Sequence, residues 1–344
     1  MSILVFRAEP ASPPSTVPEH LGWRAALADA VTDPVELGRL LGLPSSLEPA
    51  LARVTGGFPL RVPRSHLARI CPGDPQDPLL LQFLPQEIEL DPSAGFTTDP
   101  VGESNTRRNQ GLLRKYRGRA LIVATRACAV HCRFCFRRHF PYPDLPKPPS
   151  RWERALEQIA ADASIREVIL SGGDPLTLDD EPLGHLARRL AEIPHVRRLR
   201  VHTRVPMVIP QRVTDGLLSW LRGTRLAPIV VVHVNHPAEL DETVAAALGR
   251  LVDAGVPVLS QSVLLRRIND RIEVLAELFG RLVDLRVMPY YLHQLDRVAG
   301  AAHFEVPEST GVKLIKELRA RLPGYAVPRY VRETAGEQYK RPLA

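Results

Sequence analysis

With 344 residues, 44 % of them apolar and 24 % charged, the chain has the composition of a globular protein. That excludes wholesale disorder, a collagen-like repeat and a coiled coil, and the length suits one large α/β domain with an extension of about a hundred residues. The net charge of +7 is carried almost entirely by arginine: of 45 basic residues only Lys115, Lys147, Lys313, Lys316 and Lys340 are lysine, so a lysine at a chemical position stands out.

Residues 1–110 carry many prolines and aspartates between short helical stretches at 23–30, 34–43 and 63–71, and form an expected helical extension that covers or supports the domain behind it. From residue 119 short apolar runs alternate with amphipathic stretches, the signature of βα units in a parallel sheet. Strands are expected at 120–125, 167–171, 198–203, 229–233, 256–260 and 286–291, and helices at 151–161, 183–193, 211–221, 239–254 and 271–283. The polar residues that suggest chemistry fall at or just after strand ends, which in a barrel converge on one mouth. The expected fold is therefore α/β, a partial (β/α)6 TIM-type barrel over about 111–323, with an irregular segment at 324–344 behind it. No uncharged apolar run reaches eighteen residues and the N-terminus lacks the basic-then-apolar order of a signal peptide, so a cytoplasmic protein without a membrane partner is expected.

Three of the four cysteines, Cys128, Cys132 and Cys135, lie within eight residues, while Cys71 stands alone. Such clustering points to a reducing compartment and a metal centre rather than a disulfide framework. Three thiolates hold a four-iron cluster with one iron open. The alternatives are a zinc site completed by His131 or His139, and a four-cysteine electron-transfer cluster that would need the distant Cys71.

This spacing, with Phe134 before the last cysteine, resembles the radical S-adenosylmethionine enzymes. The resemblance implies a [4Fe-4S] cluster on Cys128, Cys132 and Cys135, and S-adenosylmethionine chelated to the open iron as the source of a 5′-deoxyadenosyl radical. It also implies cofactor contacts from Gly172, Gly173 and Asp174 after the second strand. A narrower resemblance runs along nearly the whole chain. Arg137-Arg138-His139-Phe140, Ser171-Gly-Gly-Asp-Pro-Leu, Arg200-Val-His-Thr-Arg-Val-Pro, His233-Val-Asn-His-Pro, Gln261-Ser-Val-Leu-Leu-Arg and Ala302-His-Phe are similar in order and spacing to the lysine 2,3-aminomutase family. That family also holds pyridoxal 5′-phosphate on a lysine near the C-terminus, and Lys340, in Glu337-Gln-Tyr-Lys-Arg-Pro-Leu, stands in the matching place.

The family's chemistry accounts for two cofactors. Moving an amino group between neighbouring carbons has no easy polar route, whereas a carbon radical beside a nitrogen conjugated with pyridoxal phosphate has one. By the same resemblance, Arg137 pairs with the α-carboxylate of L-lysine, and Asp296 and Glu333 hold its ε-ammonium. Glu333 stands where the family has an aspartate. Arg119, helped by Lys115, matches a phosphate-binding arginine, and His233 and Gln261 match contacts to S-adenosylmethionine. A reductant such as flavodoxin or ferredoxin is implied, and the oligomeric state is left open, a homo-oligomer included.

Free-standing members of the family are longer at the C-terminus, with further cysteines for zinc; this chain stops four residues after Lys340 and has none. Leu60-Arg-Val-Pro-Arg-Ser, Gly95-Phe-Thr-Thr-Asp-Pro, Leu113-Arg-Lys-Tyr-Arg-Gly-Arg-Ala-Leu and Cys135-Phe-Arg-Arg-His-Phe-Pro-Tyr resemble the shorter branch that serves elongation factor P. That branch makes (R)-β-lysine from L-α-lysine, which a separate lysyl ligase attaches to the factor. The alternatives are a general aminomutase releasing β-lysine for other metabolism and, in another class, a basic RNA-binding or RNA-modifying protein. Aromatics at 6 % and arginines interleaved with acidic residues speak against direct nucleic-acid binding.

Overall fold

The computed structural model describes residues 22–45, 53–55, 57–103, 111–142 and 150–344. Residues 1–21 of the expected extension, and Lys147, lie outside them. Nine strands form one sheet in sequence order: β1 (Leu112–Leu113), β2 (Arg119–Thr125), β3 (Glu167–Gly172), β4 (Arg198–Thr203), β5 (Ala227–His233), β6 (Val258–Val263), β7 (Met288–His293), β8 (Arg329–Arg332) and β9 (Arg341–Pro342). From β2 to β8 every neighbouring pair is parallel, while β1 and β9 pair antiparallel at the two edges. Among the described residues no pairing closes β9 on β1, so the sheet is an incomplete barrel.

Strands β2 and β5 contain continuous apolar runs because both of their faces are covered there. In β2 the run Ile122-Val-Ala is fully buried, and in β5 Val230-Val-Val is as well. The crossover helices carry a single apolar stripe. Helix Asp180–Glu192 buries Leu183, Leu186, Ala187 and Leu190, the i, i+3, i+4, i+7 set that faces the sheet. Helices Asp215–Arg222 and Glu242–Asp253 start on side-chain caps, Thr214 accepting from the Leu217 N–H and Asp241 from the Val244 N–H. Short helices Trp23–Ala28 and Pro34–Leu41 pack into the same apolar core as the sheet, which runs from Trp23 to Tyr330.

Four expectations need correction. Residues 324–344 are not irregular: they contain β8 and β9, which are too short and too interrupted by prolines to give a periodic signal. The strands expected at 256 and 286 begin two residues later, since Gly255, at φ 76, and Arg286, at φ 61, are the left-handed turns that end the preceding helices. The segment 63–71 is α-helical only at Arg64–Leu67, after which its hydrogen bonds tighten to i−3 turns. Helix Glu308–Arg321 was missed although Gly311, Leu314, Ile315 and Leu318 mark its buried face. Gly311 is required there, because a Cβ would lie 2.1 Å from the Tyr330 hydroxyl.

Candidate active site

The C-terminal ends of the parallel strands open into a cavity of about 450 Å³. Of the residues singled out by sequence, Lys115, Arg119, Cys132, Cys135, Arg137, His233, Gln261, Asp296, Glu333 and Lys340 all line it. They come from β2, β5 and β6 themselves and from the connections after β1, β2, β7 and β8. The structure therefore brings together residues as distant in sequence as Lys115 and Lys340.

The cysteine loop comes directly after β2 and is held from outside the barrel. Arg133, between the last two cysteines, is fully buried and forks onto Glu89 at 2.6–3.1 Å while donating to the Phe58 carbonyl at 2.8 Å. Arg138 reaches the same Glu89 carboxylate at 2.9 Å. The N-terminal segment thus fixes the loop through one buried carboxylate shared by two guanidiniums. Burial pushes all three thiols up, to about 11 for Cys135, and the neighbouring cysteines add to this at Cys128 and Cys135. A cationic metal centre bound there would compensate the charge of the three thiolates.

Neither candidate zinc histidine lines the cavity with Cys132 and Cys135. His131 Nδ1 bonds the Pro59 carbonyl at 2.9 Å and its ring stacks on Phe58, while His139 Nε2 bonds the Ala299 carbonyl at 3.1 Å. Among the described residues no three His, Cys, Asp or Glu side chains close on a single ion, whereas a multi-iron cluster takes thiolates set further apart. Cys71 is exposed and stands outside the cavity.

Gly172 and Gly173 pack against this loop. Gly172 has φ 112, and a Cβ on Gly173 would sit 2.2 Å from the Ala127 carbonyl oxygen. The Asp174 side chain is engaged within the protein. Its carboxylate accepts from Thr203 Oγ1 at 2.7 Å, the Arg204 N–H at 2.6 Å and the N–H groups of Val205 and Leu176 at 3.1 Å each. It is consumed in joining the β3 and β4 ends and is absent from the cavity wall, so only backbone of this turn remains for a ligand.

Opposite the cysteines lies a network of charge. Glu333 accepts from Lys115 Nζ at 2.7 Å and from the Tyr116 hydroxyl at 2.6 Å, and it pairs closely with Lys340 Nζ. The two ammonium groups overcome its burial and hold its carboxyl down at about 2. Among the described residues Asp296 has no such direct partner; burial pushes it up to about 7 against the pull of Lys340. It is partly buried and lines the cavity. Farther round, Arg137 forks onto Glu103 at 2.7 and 3.0 Å and turns its third nitrogen toward Ser171 Oγ at 3.3 Å. Among the described residues His202 and His233 each leave a buried Nε2 without a partner, and burial lowers His233 to about 3. Neutral imidazoles with an unsatisfied ring nitrogen on a cavity wall are poised for a polar ligand.

Sequence reading missed Glu103, Tyr116, Glu239 and Arg204. Arg204 lies inside the quoted Arg200-Val-His-Thr-Arg-Val-Pro stretch, but its partners are distant in sequence and carry no local period.

A family model, the Radical SAM superfamily, matches residues 122–279. The L-lysine 2,3-aminomutase of Haemophilus influenzae is 44 % identical over 94 % of this chain and 95 % of its own length. The chain belongs to the L-lysine 2,3-aminomutase family. The Escherichia coli L-lysine 2,3-aminomutase is 45 % identical over 95 % of each chain, and that of Clostridium subterminale 36 % identical over 93 % of this chain and 77 % of its own. As a family member the protein is an isomerase of the radical SAM class, a class that uses a four-iron cluster and S-adenosylmethionine. Among the described residues no helix is long and apolar enough to cross a membrane.

Proposed function

We propose that the protein converts L-α-lysine into (R)-β-lysine, with Cys128, Cys132 and Cys135 as ligands of the cluster and Lys340 as the attachment point of pyridoxal 5′-phosphate. The observation that carries this is the charge layout of one cavity: a lysine and two more cations at one wall, two carboxylates beside them, and a guanidinium fork across from them. Bound there, pyridoxal phosphate would conjugate the migrating nitrogen and the cluster with S-adenosylmethionine would supply the radical.

The chain's own residues do the rest. Arg119 and Lys115 neutralise the phosphate. Arg137 receives the substrate carboxylate once Glu103 gives up part of the fork, which matches a planar carboxylate on two N–H groups. Asp296 and Glu333 receive the ε-ammonium; Lys115 and Tyr116 stay on Glu333 Oε1, and its Oε2 is released when Lys340 no longer carries a positive charge. His233 and Gln261, with the backbone of Gly172 and Gly173, contact S-adenosylmethionine. The apolar wall from Leu113, Leu121, Ile169 and Val263 excludes water from a radical.

The N-terminal motifs favour the branch that serves elongation factor P. The protein accordingly works in the cytoplasm beside the lysyl ligase, taking electrons from a carrier such as flavodoxin or ferredoxin. Residues 1–110 act as the support of the cysteine loop, 111–323 as the barrel and 324–344 as the segment that carries Lys340. Anaerobic enzyme given reductant, S-adenosylmethionine, pyridoxal phosphate and L-lysine yields β-lysine without net loss of S-adenosylmethionine. Stoichiometric 5′-deoxyadenosine without β-lysine would refute the isomerisation. For the biological role, β-lysylated elongation factor P should disappear from cells lacking the protein and return when free (R)-β-lysine is fed; a factor that stays modified in such cells would refute it.

A further inference from the structure

We infer that Arg204 is a positioning residue that acts on the metal centre through Cys132, donating to that one sulfur and making the cluster easier to reduce. This rests on Cys132 being a cluster ligand, as in the proposed function.

Arg204 is the first residue after β4, and its side chain is only 6 % exposed. Nη1 lies 2.8 Å from Cys132 Sγ, while Nη2 donates to Gln82 Oε1 at 2.6 Å and Glu239 Oε2 at 3.1 Å. The guanidinium carbon sits 4.9 Å from the Phe83 ring centroid and 5.8 Å from that of Phe134. Held on both its hydrogen-bonding side and its ring faces, the group has no second orientation to adopt. Glu239 is itself fully buried, and its other oxygen accepts from the Asn235 N–H at 2.8 Å and the His236 N–H at 3.1 Å. The carboxylate is thus fixed before the arginine arrives and aims it at the sulfur.

Among the described residues no other side chain donates to any of the three clustered sulfurs. A donor and a positive charge beside a ligand thiolate withdraw electron density and favour the state with one more electron. Glu239, farther from the sulfur, offsets part of that charge. The two residues therefore push the cluster in opposite directions, with the nearer one dominant.

The test is a redox titration, monitored by electron paramagnetic resonance, of the full chain reconstituted anaerobically, with iron and sulfide counted per chain. Arg204→Gln is expected to lower the midpoint potential, Arg204→Lys to fall between that variant and wild type, and Glu239→Gln to raise it. A merely structural pair would move both neutral variants the same way, through loss of cluster. Equal potentials for wild type and Arg204→Gln at equal iron content, or a lowered potential in Glu239→Gln, would overturn the inference. Should Arg204→Gln hold no cluster, the direction of the Glu239→Gln shift decides. A wild-type chain that takes up no iron and sulfide would instead bring down the ligand assignment, and this role with it.

Discussion

Replacing Asp296 by Asn tests the ammonium end of the cavity in a way that pH can dissect. Burial holds this carboxyl at about 7, so an incoming ammonium must displace its proton over the range where an ordinary aspartate is fully ionised. With that value about half the sites are ionised at pH 7, about one in eleven at pH 6 and about nine in ten at pH 8. The affinity of the unreduced enzyme without pyridoxal phosphate for L-lysine is then about tenfold weaker at pH 6 than at pH 8 through this group alone. The Asn variant loses a charge-assisted hydrogen bond of about 1.5–3 kcal/mol, which is about 10- to 150-fold in Kd at pH 8. Titration of the substrate's own α-amine affects both proteins equally, so the ratio of the two dissociation constants isolates Asp296. Equilibrium binding of radiolabelled lysine without reductant measures it free of turnover. The ratio should be about ten times larger at pH 8 than at pH 6; a ratio independent of pH, or an unchanged Kd, would refute the assignment.

Lys340→Arg should keep the charge and the cluster but lose borohydride-fixable pyridoxal phosphate, read as the missing adduct on the C-terminal peptide by mass spectrometry. Glu89→Ala strands two buried guanidiniums and should cost about 3–5 kcal/mol in urea unfolding, as expected for breaking a buried ion pair from one side. Gly173→Ala drives a methyl group into the Ala127 carbonyl and should abolish iron uptake while circular dichroism shows the barrel intact. The ionised Glu333 contributes stability present above pH 4.5 and lost as pH falls toward about 2; Glu333→Gln should remove that acid-sensitive portion from the stability profile.

The sequence carried the central strands and the cysteine loop well, because strands covered on both faces read as unbroken apolar runs and three thiols within eight residues point strongly to a metal centre. Lys340 was legible through the scarcity of lysine and its neighbours, even though the strand that anchors it was not. What escaped was the set of long-range pairs. Glu89 with Arg133, Glu103 with Arg137 and Glu239 with Arg204 join segments 34 or more residues apart, and no spacing rule links them. Asp174 shows the same limit: it stands in the glycine turn that the resemblance marks for ligand binding, and three of the four donors to its carboxylate, Thr203, Arg204 and Val205, lie on another strand end.

The edge strands β1 and β9 each pair with a single neighbour, β2 and β8. Lys115 lies just after the first edge and Lys340 just before the second, and Glu333 ties them across more than 200 residues of chain. That wall has no counterpart in any partly folded chain: loop-closure entropy makes so distant a contact slow to form, and neither edge alone assembles the carboxylate with its two ammonium partners. The charged setting of Lys340 therefore arrives only with completed folding of both edges, so a partly folded chain presents that amine without its carboxylate partner.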